Sequence, residues 1–251
     1  MSPLIDVNNL VKLYGPTAAV DNISFQIEAG EAVGLVGESG CGKSTTARLI
    51  LKLIEPTRGA VSFDGQPIDA LNGAALRGFR RQIQIVFQNP YATLNPRFTV
   101  RATLVEPLLL HQIAAPAESE KRAGDLLELV QLPRNYLSRF PHELSGGERQ
   151  RIGIARALAV EPKCLVADEP LSSLDVTIAA DILELLKNLR RRLNLTLLFI
   201  SHDLLVVKAL CDRILVMEKG KIVEEGPSEN LFAAPRHPYT HKLLSSIIRL
   251  A

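Results

Sequence analysis

Cysteine is scarce in this chain: Cys41, Cys164 and Cys211 are odd in number, far apart and without C-x-x-C spacing. Neither a disulfide framework nor a metal site follows from them, and a reducing cytosol suits such usage. A surplus of charge of one sign is also missing. Lys and Arg total 29 against 27 Asp and Glu, a formal net charge of +2. Nucleic-acid binders draw much of their affinity from a basic surplus, so nucleic acid is not an expected partner. No stretch reaches the roughly 18 consecutive apolar residues of a membrane span. The start MSPLIDVNN lacks a basic segment followed by an apolar one, so no leader is expected. Internal repeats and low-complexity tracts are absent as well. What is present is ordinary globular composition, 47% hydrophobic over 251 residues, enough for one large domain or two small ones. A soluble chain is expected, with docking on a membrane protein left open.

Short apolar runs recur between helical patterns. AVGLVG (32–37), IQIVF (83–87), CLVA (164–167), LTLLFI (195–200) and RILVM (213–217) predict strands, many of them apolar on both faces. That is the signature of a mostly parallel sheet covered by helices. Helices are predicted where apolar residues return every three or four positions, at 43–53, 121–132, 148–160 and 176–193. Alternation in NISFQI (22–27) and the turn-flanked AVSFDG (60–65) instead predict antiparallel strands early in the chain. From Gln88 to Pro162 the pattern is helical and bounded by Pro90, Pro96 and Pro162, a helical subdomain set into the α/β core. The last turn-rich joint is EEGPSEN (224–230).

GESGCGKST (37–45) follows a predicted strand and opens a predicted helix, the context that a G-x-x-x-x-G-K-[ST] phosphate loop requires. Gly37, Gly40 and Gly42 let the backbone curl so that N–H groups converge on phosphates. Lys43 brings positive charge, and Ser44 offers a hydroxyl to Mg²⁺. CLVADEP (164–170) ends a strand in two carboxylates that point to opposite sides. Asp168 suits the metal's hydration shell, and Glu169 suits polarising the attacking water. Ligands of open parallel sheets sit beyond the carboxyl ends of the strands. Lys43, Gln88, Asp168 with Glu169, and His202 each follow a predicted strand, so four strands deliver them to one edge. His111, His142, His237 and His241 have no such placement and are read as structural.

A second glycine-flanked helix start, LSGGERQR (144–151), is harder to place. Ser145 with Glu148 three residues on matches a capping box, which a well-made helix start alone would explain. Arg149, Gln150 and Arg151 place charge and polarity beside it, and Gly146 with Gly147 leaves backbone open to a ligand.

Taken together, these motifs resemble those of the ATP-binding cassette (ABC) ATPases of transporters across essentially the whole chain. GESGCGKST is similar to the Walker A loop, Gln88 to the Q-loop glutamine, LSGGE to the signature, and CLVADEP to Walker B with its glutamate. SSLD (172–175) is similar to the D-loop, and His202 to the switch histidine. Tyr14, in KLYG, matches the aromatic on which adenine stacks. FRRQIQIVFQNPYATLNPR (79–97) and GPSENLFAAPRHPYTHKLLSSI (226–247) resemble the oligopeptide, dipeptide and nickel importer branch, most closely its second ATPase subunit. There are two departures. The signature carries Glu148 where Gln is commoner, which keeps the capping box. The chain also stops at Ala251 without a cysteine-bearing extension, so no iron–sulfur cluster is expected.

The resemblance implies an α/β ABC-type P-loop NTPase with a RecA-like core, an antiparallel β subdomain and an inserted helical subdomain. It implies one nucleotide-binding domain over 1–251: core with β subdomain at 1–88 and 163–226, helical signature subdomain at 89–162, and an HPYT extension at 227–251. It implies ATP and Mg²⁺ as cofactors. Tyr14, Gly37, Ser39, Gly40, Cys41, Gly42, Lys43, Ser44, Thr45 and Asp168 would hold the nucleotide. Ser44, Gln88 and Asp168 would hold the metal, and Glu169, His202 and Gln88 would serve hydrolysis. Ser145, Gly146 and Gly147 would meet the ATP of a second cassette, homologous or identical. Further implied partners are integral membrane permease subunits and, indirectly, a solute-binding protein, with the chain peripheral on the cytoplasmic face of the cell membrane. The implied activity is ATP-driven import of peptides or a related small solute, a nickel chelate included. The competing reading is a soluble ABC ATPase without a channel, although such proteins usually have two cassettes or a more basic surface. A P-loop kinase or switch GTPase would leave LSGGE unexplained.

Overall fold

The computed structural model of the chain describes residues 2–88 and 94–248. In chain order its elements are β1 (Ile5–Tyr14), β2 (Thr17–Ile27), β3 (Ala32–Val36), α1 (Lys43–Ile50), β4 (Arg58–Phe63), β5 (Gln66–Pro67), α2 (Gly73–Gln82), β6 (Ile83–Val86), α3 (Val100–Leu110), α4 (Pro116–Leu129), α5 (Gly146–Leu158), β7 (Cys164–Asp168), α6 (Val176–Leu193), β8 (Thr196–Ser201), α7 (Leu204–Leu210), β9 (Arg213–Glu218), β10 (Lys221–Pro227), α8 (Ser228–Ala233) and α9 (Pro238–Ile248). Two short 3₁₀ turns lie at Arg134–Ser138 and Pro141–Glu143. Of the stretch 79–97, on which part of the family resemblance rests, residues 89–93 lie outside the described residues, as do positions 1 and 249–251 of the 1–251 span.

Residue contacts divide the chain into two units, Met1–Arg80 with Asn194–Ala251, and Arg81–Leu193. In the first unit, β2, β1, β4 and β5 form an antiparallel sheet in that order. The alternation of NISFQI produces its inner face, with Ile23, Phe25 and Ile27 buried and Ser24 and Gln26 outside. The other strands of this unit run β10-β9-β3-β8, and β3 pairs in parallel with both neighbours. Every residue of β3 and β8 is buried, which is why those runs are apolar without alternation. β9 and β10 are joined by Lys219 and Gly220, both at positive φ (48° and 84°). This is the turn geometry whose twist matches that of the flanking strands. The joint expected at 224–230 starts later than its composition implied. Glu224 to Pro227 continue β10, pairing with β9 as far as Arg213, and α8 begins directly at Ser228.

In the second unit β6 and β7 pair in parallel, with Val86 opposite Ala167, and among the described residues four helices accompany them. α3 starts at a Thr99 cap whose hydroxyl accepts from the Ala102 N–H at 3.2 Å. α4 begins at Pro116, five residues before the expected start, because proline at the first helical position gives up only an N–H that would be unpaired there anyway. α5 begins at Gly146, which puts both signature glycines inside its first turn. α6 spans the predicted 176–193. The three cysteines are free and buried, and burial pushes the Cys164 thiol up to about 12. Among the described residues no helix is long and apolar enough to cross a membrane.

Candidate functional site

In the first unit the loop from Gly37 to Gly42 connects buried β3 to α1. Two glycines there are sterically required. A Cβ at Gly42 (φ 113°) would sit 2.2 Å from the Ala19 carbonyl oxygen, and one at Gly37 would sit 2.2 Å from that of Met217. At Gly40 the space outside the loop is open. α1 has no side-chain cap at its N-terminus and no acidic residue in its first turn. Its leading N–H groups and the positive end of its dipole are thus available to an anion. Lys43 is 4% exposed and curls back under the loop, donating from Nζ to the Gly37 carbonyl at 2.7 Å and the Glu38 carbonyl at 2.9 Å. Ser44 and Thr45 are half-buried and Ser39 is exposed. Burial pushes the Cys41 thiol up, against the opposing pull of Lys43. Tyr14 is 52% exposed, with the Lys12 ammonium 5.3 Å from its ring centre. This leaves ring surface open for stacking. His202 lies just beyond β8, and Val36 pairs with Ser201, so the phosphate-type loop and the imidazole leave neighbouring strand ends. Asp203 then caps α7, accepting from the N–H groups of Leu205 at 2.9 Å and Val206 at 3.3 Å.

The second unit repeats this logic with different chemistry. Gln88 and the Asp168–Glu169 pair follow the paired strands β6 and β7. Asp168 is buried in the last position of β7. Glu169 takes φ 48°, a left-handed conformation that costs a non-glycine residue roughly 1–2 kcal/mol. Its carboxylate Oε2 accepts from the Gln88 side-chain amide at 3.4 Å. The sequence SSLD holds both partners: the Ser172 hydroxyl donates to the Glu169 carbonyl at 3.1 Å and the Ser173 hydroxyl to the Gln88 carbonyl at 3.4 Å. Those serine contacts were not foreseen from sequence. The available signal was a pair of short hydroxyl side chains three and four residues after a strained carboxylate.

At the start of α5, exposed Ser145 caps the helix. Its Oγ accepts from the Glu148 N–H at 3.3 Å, and Glu148 Oε2 accepts from the Ser145 N–H at 2.7 Å. The departure to Glu148 therefore does keep the capping box. The Tyr136 hydroxyl donates to Glu148 Oε1 at 2.7 Å. Burial pushes the Glu148 carboxyl up, but the bonds from Tyr136 and Ser145 outweigh it and hold the group below the usual carboxylate range. Two expectations need correction. Arg149 and Gln150 do not put polarity at the exposed start: both are buried, and Arg149 donates from Nε to the Pro141 carbonyl at 2.7 Å and also to that of Leu144. Gln150 shares the buried side of α5 with Gly147, Ile154 and Leu158, and Arg149 is buried beside it. Only Arg151 reaches outward, and it too is engaged, with the Val130 carbonyl at 2.9 Å. Gly147, read as leaving backbone open, is buried, and a Cβ there would come within 2.4 Å of Ile178 on α6. Close helix packing requires this glycine, whereas at Gly146 a Cβ would come no nearer than 3.4 Å to Leu174.

A strand, a glycine loop and an uncapped helix followed by an LSGGE-type helix start and an Asp–Glu strand end form one ordered set, and residues 20–172 match the family described as ABC transporter. The chain belongs to the ABC transporter ATP-binding family. Residues 223–251 also match the oligopeptide/dipeptide transporter C-terminal region. The oligopeptide transport ATP-binding protein OppF of Bacillus subtilis is 51% identical over 250 residues, covering 97% of this chain and 82% of that one. The glutathione import ATP-binding protein GsiA of Pectobacterium atrosepticum is 48% identical over 256 residues, covering 98% of this chain and 41% of that one. Among solved structures, cbiO1 from Clostridium perfringens, part of the ABC transporter complex cbiONQ, superposes with a TM-score of 0.83 at 28% identity, covering 100% of this chain and 96% of that one. The ATP-binding cassette MJ0796, in a dimeric post-hydrolysis state bound to ADP and Pi, gives 0.81 at 33% identity, covering 89% and 98%. As an ABC cassette the chain binds ATP and hydrolyses it, on the α/β P-loop fold that its motif order implied.

Proposed function

We propose that this ABC cassette powers the import of peptides or a chemically related small solute, working as one of two cassettes on the cytoplasmic face of membrane permease subunits. The names of the relatives, oligopeptide transport and glutathione import, support the substrate class. The pairing of cassettes rests on one observation above all. The capping box uses the N–H groups of Ser145 and Glu148, and those of Gly146 and Gly147 between them are the two it does not use. The start of α5, with exposed Ser145 and half-buried Gly146, can receive an anion supplied from outside the chain. That anion is the γ-phosphate of the second cassette's ATP, in return for which the partner's signature completes this chain's own site.

Residue roles follow from chemistry. The uncapped start of α1, with Gly37, Ser39, Gly40, Cys41, Gly42, Lys43, Ser44 and Thr45, takes the phosphates, and exposed Tyr14 takes the adenine. Hydroxyl, amide and carboxylate oxygens are the donors Mg²⁺ prefers, and Ser44, Gln88 and Asp168 each carry one. When bound, the ion neutralises phosphate charge during hydrolysis. Glu169 orients and polarises water, and the Gln88 amide at 3.4 Å restrains its carboxylate. His202 contacts the γ-phosphate. Lys43 donates to the neutral Gly37 and Glu38 carbonyls, and a nucleotide would offer its ammonium charged acceptors beside them.

The test is the Glu169→Gln variant, co-expressed with membrane subunits in detergent and then in vesicles. ATP binding should persist while hydrolysis and ATP-driven uptake of a labelled short peptide fall by about 10²–10⁴. Turnover near wild type would remove Glu169 from its role. Robust ATPase in a chain that never co-purifies with integral membrane subunits would favour a soluble ABC ATPase instead.

A further inference from the structure

The family match at 223–251 covers residues that the hydrolytic chemistry does not use. Their arrangement is specific. Glu224, on β10, accepts from the backbone N–H of Arg236 at 2.8 Å and of His237 at 2.9 Å, which anchors the approach to α9. His237 Nδ1 then accepts from the Tyr239 N–H at 3.2 Å, so the imidazole serves as the helix cap. Pro238 occupies the first helical position, where a missing N–H costs nothing. The consequence is the placement of Tyr239: its ring is 7% exposed, and its Oη accepts the Glu38 N–H at 2.9 Å. About one helical turn onward, Lys242 Nζ lies 3.0 Å from Glu38 Oε1.

Glu38 stands inside GESGCGKST and is the loop's one acidic residue. Its three polar groups are each held by a different side chain: the N–H by Tyr239, the carboxylate by Lys242 and the carbonyl by Lys43. A carboxylate in a loop that receives a triphosphate is electrostatically unfavourable, and an ammonium 3.0 Å away offsets it. The N–H that Tyr239 takes is meanwhile fixed on the tail side of the loop, which restrains the peptide between Gly37 and Glu38.

We propose that the HPYT helix is a positioning element for the nucleotide's phosphate loop, with Tyr239 setting the loop's backbone and Lys242 cancelling the charge of Glu38. His, Pro and Tyr then have separate tasks: cap, first turn, and contact. The inference rests on the reading of residues 37–45 as the phosphate loop and gives this chain a point at which events at its C-terminal segment alter ATP affinity.

The test measures equilibrium binding of a fluorescent ATP analogue to the full isolated chain, alongside thermal melting. Tyr239→Phe should weaken binding by about two- to tenfold, the effect of one hydrogen bond. Lys242→Met should weaken it by up to about fivefold, as expected of an exposed ion pair, without lowering the melting temperature. The decisive comparison is Lys242→Met in a Glu38→Gln background, where its effect should vanish, a rescue that a merely structural lysine would not give. Binding by Tyr239→Phe equal to wild type, or a Lys242→Met loss that persists in Glu38→Gln, overturns the inference. Lys43→Ala separates the two levels. If it leaves ATP binding intact, the phosphate-loop reading itself fails; if it abolishes binding while the Tyr239 and Lys242 variants bind normally, only the positioning role fails.

Discussion

Replacing Gly147 by alanine is the sharpest probe of the signature helix, because one methyl group meets one identifiable neighbour. The new Cβ would lie 2.4 Å from Ile178 Cγ2, about 1 Å or more inside the ~3.5–4.0 Å optimum for carbon pairs. Ile178 cannot swing that methyl away cheaply, since a β-branched side chain in a helix has one strongly preferred rotamer. α5 and α6 must therefore separate, and overpacking of this kind costs about 1–3 kcal/mol. Alanine recovers at most about 1 kcal/mol through its better helix propensity. The net loss of about 1–2 kcal/mol should lower the melting temperature by roughly 2–8 °C in a chain of this size. In an Ile178→Ala background the obstructing atoms are gone, and the same Gly147→Ala change should become neutral or stabilising, a coupling of about 1–3 kcal/mol between the sites. Differential scanning fluorimetry of the four proteins measures this directly. Equal effects of Gly147→Ala in both backgrounds would refute the packing argument. ATPase activity of the assembled transporter adds a second axis: if Gly147 also meets a partner's nucleotide, the double variant recovers stability without recovering turnover.

Two further outcomes are expected. Ser145→Arg should leave ATP binding by the isolated chain intact while lowering turnover of the assembled complex; loss of binding in the isolated chain would instead assign Ser145 a purely structural task. Glu148 titrates below its ordinary 4.5, so its contribution is fully present above that value and is lost as pH falls through the lower folded-state value. Glu148→Gln has no charge to lose and can still accept from the Ser145 N–H. The melting-temperature advantage of wild type over Glu148→Gln should therefore shrink as pH falls below about 4.5, and a constant gap would contradict the assignment.

The sequence by itself determined the parallel strands, because β3, β7 and β8 are covered on both faces and must be apolar throughout, a pattern visible in AVGLV, CLVA and LTLLFI. The glycine loop at 37–42 was equally legible, since Gly37 and Gly42 are demanded by backbone approach. So was the capping box of Ser145 and Glu148, a local contact three residues long. Tertiary structure decided what depends on distant partners. Nothing in GGERQR reveals that Gly147 is held by Ile178, or that Arg149 and Gln150 turn inward, because the helix's buried side is chosen by what packs against it. Nor does HPYT, some two hundred positions from Glu38, announce that its tyrosine and the following lysine close on the glycine loop. Periodicity and capping are short-range physics that a sequence records in full; which surfaces then meet is settled only when distant segments are buried together.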